Sequence, residues 1–261
     1  MRLFKEYIYP RLILDLITFF VPLMAVGIIA ARLNIFSFGV WLGIFANYLM
    51  LAFAFIYNDV EDAEDDAKYQ FEALGILTHL KMNLGLHEQK PGFRRFQNPF
   101  SNGMLTRADG FNLLISIIII SVVISFLVGG FYGFLIALTN LVIGILYSGG
   151  VVRFKAYALL DVLSHCYLLA GVQVLYFFTY NEARVDLFSF VLLAGAMLYS
   201  VGGDLWNEYR DFDEDKAAGL KNTASYLGKQ NTNLASKVLT IGSLLLSATI
   251  SGYILISPYI F

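Results

Sequence analysis

Charge is scarce in this chain. Charged residues make up 15% of the 261 positions against 58% hydrophobic ones, and the mean hydropathy of +0.66 lies well above that of soluble domains. The net charge of −2 and a pI near 5.9 supply no basic stripe, which argues against a nucleic-acid partner. A single cysteine, Cys166, rules out an intramolecular disulfide and, inside an apolar segment, reads as a small buried hydrophobe. His79 and His87 have no cysteine nearby, so they form no zinc pattern and read as surface residues.

Long apolar runs take the place of charge. Residues 12–32, 38–57, 111–129, 131–148, 157–178, 187–205 and 235–257 predict seven spanning helices, since a bilayer core needs about 20 apolar residues per helix. The expected fold class is all-α: a polytopic transmembrane helical bundle of about seven spans, one domain over 1–261, with cytoplasmic loops at 58–110 and 204–234. The first run is too long, and too poor in small residues at its end, for a signal peptide, so it counts as a retained span. Within the first loop, Leu74 to Leu86 is mildly amphipathic and predicts an interfacial helix, a possible lid.

With the N-terminus placed in the cytoplasm, all of the 18 basic residues except Arg32 and Arg184 fall on the cytoplasmic side. Positively charged loops stay inside, so this orientation is expected, with the C-terminus outside. It gathers both acidic clusters on one membrane face. The first runs from Asn58 to Asp66 at the end of the second span, and the other from Asn207 to Asp215 at the end of the sixth. Asn58, Asp62 and Asp66 recur every four residues, as do Asn207, Asp211 and Asp215, so each set lines one face of a helix that continues past the membrane. Two rows of carboxylates repel each other unless cations lie between them. Mg²⁺ suits such a place, because it takes one or two carboxylates and completes its shell with waters and substrate phosphates.

These residues resemble the UbiA-type superfamily of intramembrane prenyltransferases, whose signatures are an Asn-Asp-x-x-Asp-x-x-x-Asp motif and a later Asp-x-x-x-Asp motif. Asn58, Asp59, Asp62 and Asp66 match the first; Asp211 and Asp215 match the second, followed by Lys221, Asn222 and Thr223. Asn98 to Gly103 is similar to the family's segment before the third span, and Tyr147, Arg153 and Lys155 to its tyrosine and basic loop after the fourth. The resemblance implies a bundle with a central cavity opening to the cytoplasmic face, and Mg²⁺-dependent transfer of a prenyl group from an isoprenoid diphosphate to a lipophilic acceptor among membrane lipids. It implies catalytic roles for Asp62, Asp66, Asp211, Asp215 and Tyr147. Metal ligands would be Asn58, Asp59, Asp62, Asp66, Asp211 and Asp215, and the diphosphate would be held by Asn58, Asn207, Arg153, Lys155, Arg210 and Lys221. Members commonly have nine spans, two more than this chain.

Polar residues inside the spans call for explanation in their own right, because each is costly in hydrocarbon. Asn47, Asn140 and Gln173 are of this kind, and Asp161 and His165, four residues apart, could pair to orient an acceptor or take its proton. Gly39 and Gly43 mark close helix packing. Arg94 and Arg95 read as surface charges. A cation transporter or channel with acidic sites at its mouth is the alternative, though transporters tend to coordinate ions near the midplane; a lipid-binding scaffold would not need two aspartate frames.

Overall fold

The structure is a computed structural model that describes residues 1–83, 92–94, 96–150, 152–217 and 219–256. Helices dominate it, as they must where no water is present to satisfy backbone N–H and C=O groups. In chain order they are α1 (Phe4–Ala30), α2 (Phe38–Glu61), α3 (Ala63–Asp66), α4 (Ile76–Asn83), α5 (Arg107–Ser148), α6 (Leu160–Phe178), α7 (Leu187–Ala217), α8 (Thr223–Leu227) and α9 (Lys229–Ile256). The sole strands among the described residues are β1 (Gln70–Phe71) and β2 (Phe93–Arg94), paired in parallel with Gln70 opposite Phe93.

Seven spans are expected from sequence, and five helices among the described residues are long and apolar enough to cross a membrane: α1, α2, α5, α6 and most of α7. Two features account for the difference. The run 235–257 ends outside the described residues. The predicted helices 111–129 and 131–148 are joined as α5, which is 42 residues long and reverses at Gly130 (φ 58°, ψ −147°), a conformation that essentially only glycine adopts. A Cβ placed on Gly133 would collide with the carbonyl oxygen of Ser125, whereas residues eight apart in one straight helix are separated by about 12 Å. Both arms therefore return to the same end of α2, Gly110 against Val60 and Phe100 on one side, Ser148 against Asn58 on the other. α9 packs along α7, with Ser236 Oγ donating to the Gly202 carbonyl at 2.7 Å and the Gly195 backbone close to Ser247.

One core joins α1, α2 and both arms of α5 through Phe20, Leu51, Phe53, Ile56, Leu114 and Leu141. A second, built on Met50, Ala137, Val172, Tyr176 and Phe177, locks α6 against α2. Gly43 lets this happen, because any side chain there would strike Tyr180 and Tyr176; Gly39 has no such neighbour. Large apolar side chains such as Trp41, Leu127, Leu163 and Leu245 remain on the outside, as suits a surface facing lipid.

The charge asymmetry survives in three dimensions. Arg32 pairs with Asp186 at 2.5 Å and the Arg184 amide donates to the Ala31 carbonyl, so both outlying arginines sit at the end of the bundle away from the acidic clusters. A cavity of about 420 Å³, lined by Tyr132, Ile136, Thr139, Leu175 and Phe178, also lies at that end, beside the Gly130 turn. At the acidic end the described opening is a narrow cleft between Asp66, Tyr69, Arg94, Phe96 and Asn98.

Within the 58–110 loop, α4 occupies part of the expected amphipathic helix. His79 corrects the surface reading: it is 1% exposed, and its Nε2 lies 2.6 Å from Asp15 of α1. Arg94 stacks on the Tyr69 ring at 3.7 Å. His87 and Arg95 lie outside the described residues.

Candidate active site

The first acidic cluster is built where α2 ends. Its last helical residue is Glu61, and Asp62 leaves helical geometry (φ −87°, ψ 7°) before α3 resumes. The expected unbroken helix face is thus stepped at Asp62, yet Asn58 and Asp62 still point the same way. Lys155 Nζ donates to Asn58 Oδ1 at 3.0 Å and to both oxygens of Asp62 at 2.7 and 2.5 Å. Arg153 reaches Asp62 at 3.2 Å and Asp65 at 3.7 Å, held there by a left-handed backbone conformation (φ 37°). Ser148, the last residue of α5, donates to Asn58 Oδ1 at 2.8 Å. The segment between α5 and α6 therefore delivers two cations onto the end of α2, the basic loop that the sequence singles out.

Asp66 accepts from Asn98 Nδ2 at 2.8 Å, and the same amide nitrogen donates to the Asp59 carbonyl at 2.7 Å. Burial raises the pKa of Asp66, the nearby Asp59 and Asp62 raise it further, and the Asn98 hydrogen bond opposes them. Asn98 thus ties the segment Asn98 to Gly103 to the motif, a link legible only as family resemblance.

Asp59 departs from its expected role as a metal ligand. It is 1% exposed, and its two oxygens accept from Arg11 at 2.8 and 3.1 Å and from the Tyr7 hydroxyl at 2.9 Å. Arg11 in turn lies 4.5 Å from the ring centres of Phe55 and Phe96 and 3.8 Å from Asp15. The side chain is committed to joining α1 to α2.

The second cluster is carried by α7, which continues unbroken to Ala217 as expected. Asn207 and Asp211 are exposed on it. Arg210 donates to Asn207 Oδ1 at 2.6 Å, Asp213 pairs with Lys229 at 2.5 Å, and Asp215 accepts from Asn222 Nδ2 at 2.8 Å. Lys221 comes up against the basic loop: its carbonyl accepts from the Ala158 amide at 2.8 Å, and its backbone pairs with that of Tyr157. The two halves of the site are joined by main chain at this point. Tyr147 lies between them, within electrostatic range of Asp62 on one side and of Asp161, Asp204 and Glu208 on the other.

Asp161 and His165 do not form the expected pair. Asp161 accepts from the Thr223 amide at 2.5 Å and its hydroxyl at 2.6 Å, and lies in hydrogen-bond contact with Glu208, whose own oxygen accepts from the Ala224 amide at 2.7 Å. His165 Nε2 instead faces Asp204 Oδ1 at 3.5 Å, with the Tyr147 ring 6.4 Å away. The reason is helical spacing: 161 and 165 on α6 face 208 and 204 on α7, so each finds a partner across the interface and not along its own helix. The sequence signal for Asp204 is its spacing from Glu208, Asp211 and Asp215 (four, three, four), which marks one stripe of α7. The amides of Asn47, Asn140 and Gln173 donate to the carbonyls of Gln173, Met50 and Leu168, which makes them bundle fasteners.

Among the described residues no three His, Cys, Asp or Glu side chains converge closely enough to hold a metal. The donor set at Asn58 and Asp62 nevertheless suits a hard cation, since three oxygens already surround the Lys155 ammonium.

Fold and site together define a helical membrane enzyme whose charged groups gather at one face of the bundle. The sequence pattern of the UbiA prenyltransferase family matches residues 16–261, and the chain belongs to that family of prenyltransferases. No curated protein matches it significantly. Among solved structures it resembles a UbiA homolog from Archaeoglobus fulgidus bound to DMAPP and Mg²⁺, at 20% identity and a TM-score of 0.69, with 96% of this chain and 77% of that one covered. The same archaeal homolog bound to GPP and Mg²⁺ aligns at 20% identity and a TM-score of 0.65 over 94% and 83%. A digeranylgeranylglyceryl phosphate synthase aligns at 19% and 0.60 over 94% and 77%. At such identities these likenesses speak for the fold.

Proposed function

We propose that this chain uses Mg²⁺ to transfer a prenyl group from an isoprenoid diphosphate to a lipophilic acceptor in the membrane. The observation that carries the reading is the cluster of Asn58, Asp62, Lys155 and Arg153, where carboxylate and amide oxygens and two cations share one spot at a helix end. That combination matches a substrate that is anionic at one end and apolar at the other. The solved relatives bound to DMAPP or GPP with Mg²⁺ support it.

When bound, Mg²⁺ would supply the charge that ties the diphosphate to the carboxylates and steadies it as it departs. Asn58, Asp62 and Asp66 are the proposed ligands from the first cluster, Asp211 and Asp215 from the second; Asp59 is left out because Arg11 and Tyr7 already engage it. Lys155 and Arg153 turn from Asp62 to the diphosphate oxygens and offset the negative charge that grows as the C–O bond opens. Arg210, Lys221 and Asn207 take the same part from the α7 side. Tyr147 borders the reacting end of the chain from within the bundle, where its ring shelters an allylic cation. The apolar walls hold the prenyl tail and exclude water, while the acidic face is cytoplasmic by the distribution of basic residues.

The test is Mg²⁺-dependent release of pyrophosphate from labelled geranylgeranyl diphosphate by the purified protein with a lipid extract of its host, beside Asp62→Ala and Asp211→Ala. Release by the wild type and loss in both variants is expected. A wild type that neither releases pyrophosphate nor binds the diphosphate with Mg²⁺ would sink the reading.

A further inference from the structure

Asp204 sits in the bundle interior with an unanswered valence. It is 6% exposed, Oδ1 faces His165 Nε2 at 3.5 Å, and Oδ2 is buried without a hydrogen-bond partner among the described residues. His165 is anchored from behind by Ser200, whose hydroxyl lies 3.5 Å from Nδ1. The other groups facing this spot are Tyr147 across from the imidazole, Cys166, whose thiol points to the Met197 carbonyl, and the carboxyls of Asp161 and Glu208 one turn nearer the acidic face. Asp161 and Glu208 are occupied by the start of α8 and by each other; Asp204 alone of the three keeps a buried oxygen open. Beside it on α7, Gly203 borders open space, for a Cβ there would meet no atom within 4 Å.

Position supports a chemical use. Asp204 stands on the same stripe of α7 as Asp211 but seven residues deeper, about 10 Å along the helix axis at 1.5 Å per residue. A prenyl diphosphate anchored at Asp211 and Asp62 would put its reacting carbon on the inner side of the charged groups, toward Asp204. A buried carboxylate oxygen without a donor is costly, and a hydrocarbon acceptor would leave it so, whereas a hydroxyl would satisfy it.

We infer that Asp204, held by His165, binds the hydroxyl of a lipid alcohol or phenol acceptor and takes its proton. This rests on the prenyl-transfer reading and specifies its second substrate. The bond between prenyl C1 and the diphosphate oxygen breaks with its electron pair leaving on the diphosphate. The acceptor oxygen supplies the pair for the new C–O bond, and its proton moves to Asp204 Oδ2. His165 is a positioning residue here, since it reaches the acceptor only through Asp204.

The experiment follows labelled geranylgeranyl diphosphate into lipid with the full chain in detergent, using host lipid extract before and after O-acetylation, for the wild type, Asp204→Asn, Asp204→Glu and His165→Gln. Mg²⁺-dependent binding of the diphosphate is measured on each. Expected are no labelled product from acetylated extract, a fall of about 100-fold or more in transfer for Asp204→Asn with diphosphate binding unchanged, and partial return in Asp204→Glu. His165→Gln should lower kcat with little change in diphosphate affinity. The inference is overturned if acetylated extract serves as well as untreated, if Asp204→Asn transfers at the wild-type rate, or if it loses diphosphate binding as well, which would make Asp204 structural. A wild type that transfers normally in the face of any of these leaves prenyl transfer standing; one that binds no diphosphate at all overturns both.

Discussion

At the end of α2, Asn58 and Asp62 are partly buried and bonded to cations that come from more than 90 residues away in sequence, Lys155 and Arg153, while Asp59 beneath them is fastened to α1. At the end of α7 the same Asn-x-x-x-Asp-x-x-x-Asp spacing is met by local partners: Arg210 three residues from Asn207, Asn222 seven from Asp215, Lys229 sixteen from Asp213. Equal spacing has produced one preorganised cluster and one open one. The first is bonded to cations from a distant loop, and the second is a more exposed jaw carried by one helix. Substitutions should therefore cost fold and function differently on the two sides.

The largest effect is expected beneath the first cluster. Arg11→Met leaves Asp59 as an uncompensated charge at 1% exposure, and breaking a buried pair from one side costs about 3–5 kcal/mol. Thermal unfolding in detergent should show it as a large drop, and the double change Arg11→Met with Asp59→Leu should recover much of the loss. Next comes Asp62→Asn, which keeps the shape but removes the charge facing Lys155 and Arg153. Pyrophosphate release should fall about 100- to 1,000-fold with unfolding unchanged, and an equal loss of stability would mean that the cluster is structural. Lys155→Met separates the two roles of one side chain. It frees the oxygens of Asn58 and Asp62, so divalent metal should bind more tightly in the absence of diphosphate, while diphosphate affinity weakens by about tenfold or more with the loss of a charged hydrogen bond. Titration of Mn²⁺ with and without diphosphate reads both, and unchanged metal affinity would deny that the lysine competes for the site.

How much of this could be read from the residues depends on the distance over which each contact acts. The fourfold spacing of Asn58, Asp62 and Asp66 is local, so their common face was legible even though the helix steps at Asp62. Lys155 and Arg153 stand out through their place beside Tyr147, a spacing that resembles the family's basic loop. Gly130 sits between two apolar runs, and the reversal of α5 follows from it. Asp59 gave no sign of its separate fate, because its partner Arg11 lies 48 residues upstream and reads equally well as an anchor at the membrane edge. Asp161 and His165 looked like partners because helical spacing allows it. The pairing with Glu208 and Asp204 is a property of how α6 and α7 pack, which periodicity within one helix cannot disclose. His79 reads as a surface residue for the same reason, since only the docking of α4 on α1 brings it to Asp15.

The smallest effect should come from Lys229→Ala on the open side. Lys229 pairs with Asp213 at 2.5 Å, but the two side chains are 42% and 76% exposed, and solvent screens such pairs until little net stabilisation remains. Asp213 is also off the stripe that carries Asp211 and Asp215, so the pair points away from the other carboxylates of α7. Melting temperature should not move, and the rate of pyrophosphate release should stay within about twofold of the wild type, as for surface substitutions away from packed features. A clear loss of activity with folding intact would mean that Lys229 reaches the diphosphate, and that the α7 jaw draws on α9 for charge as the α2 cluster draws on the loop after α5.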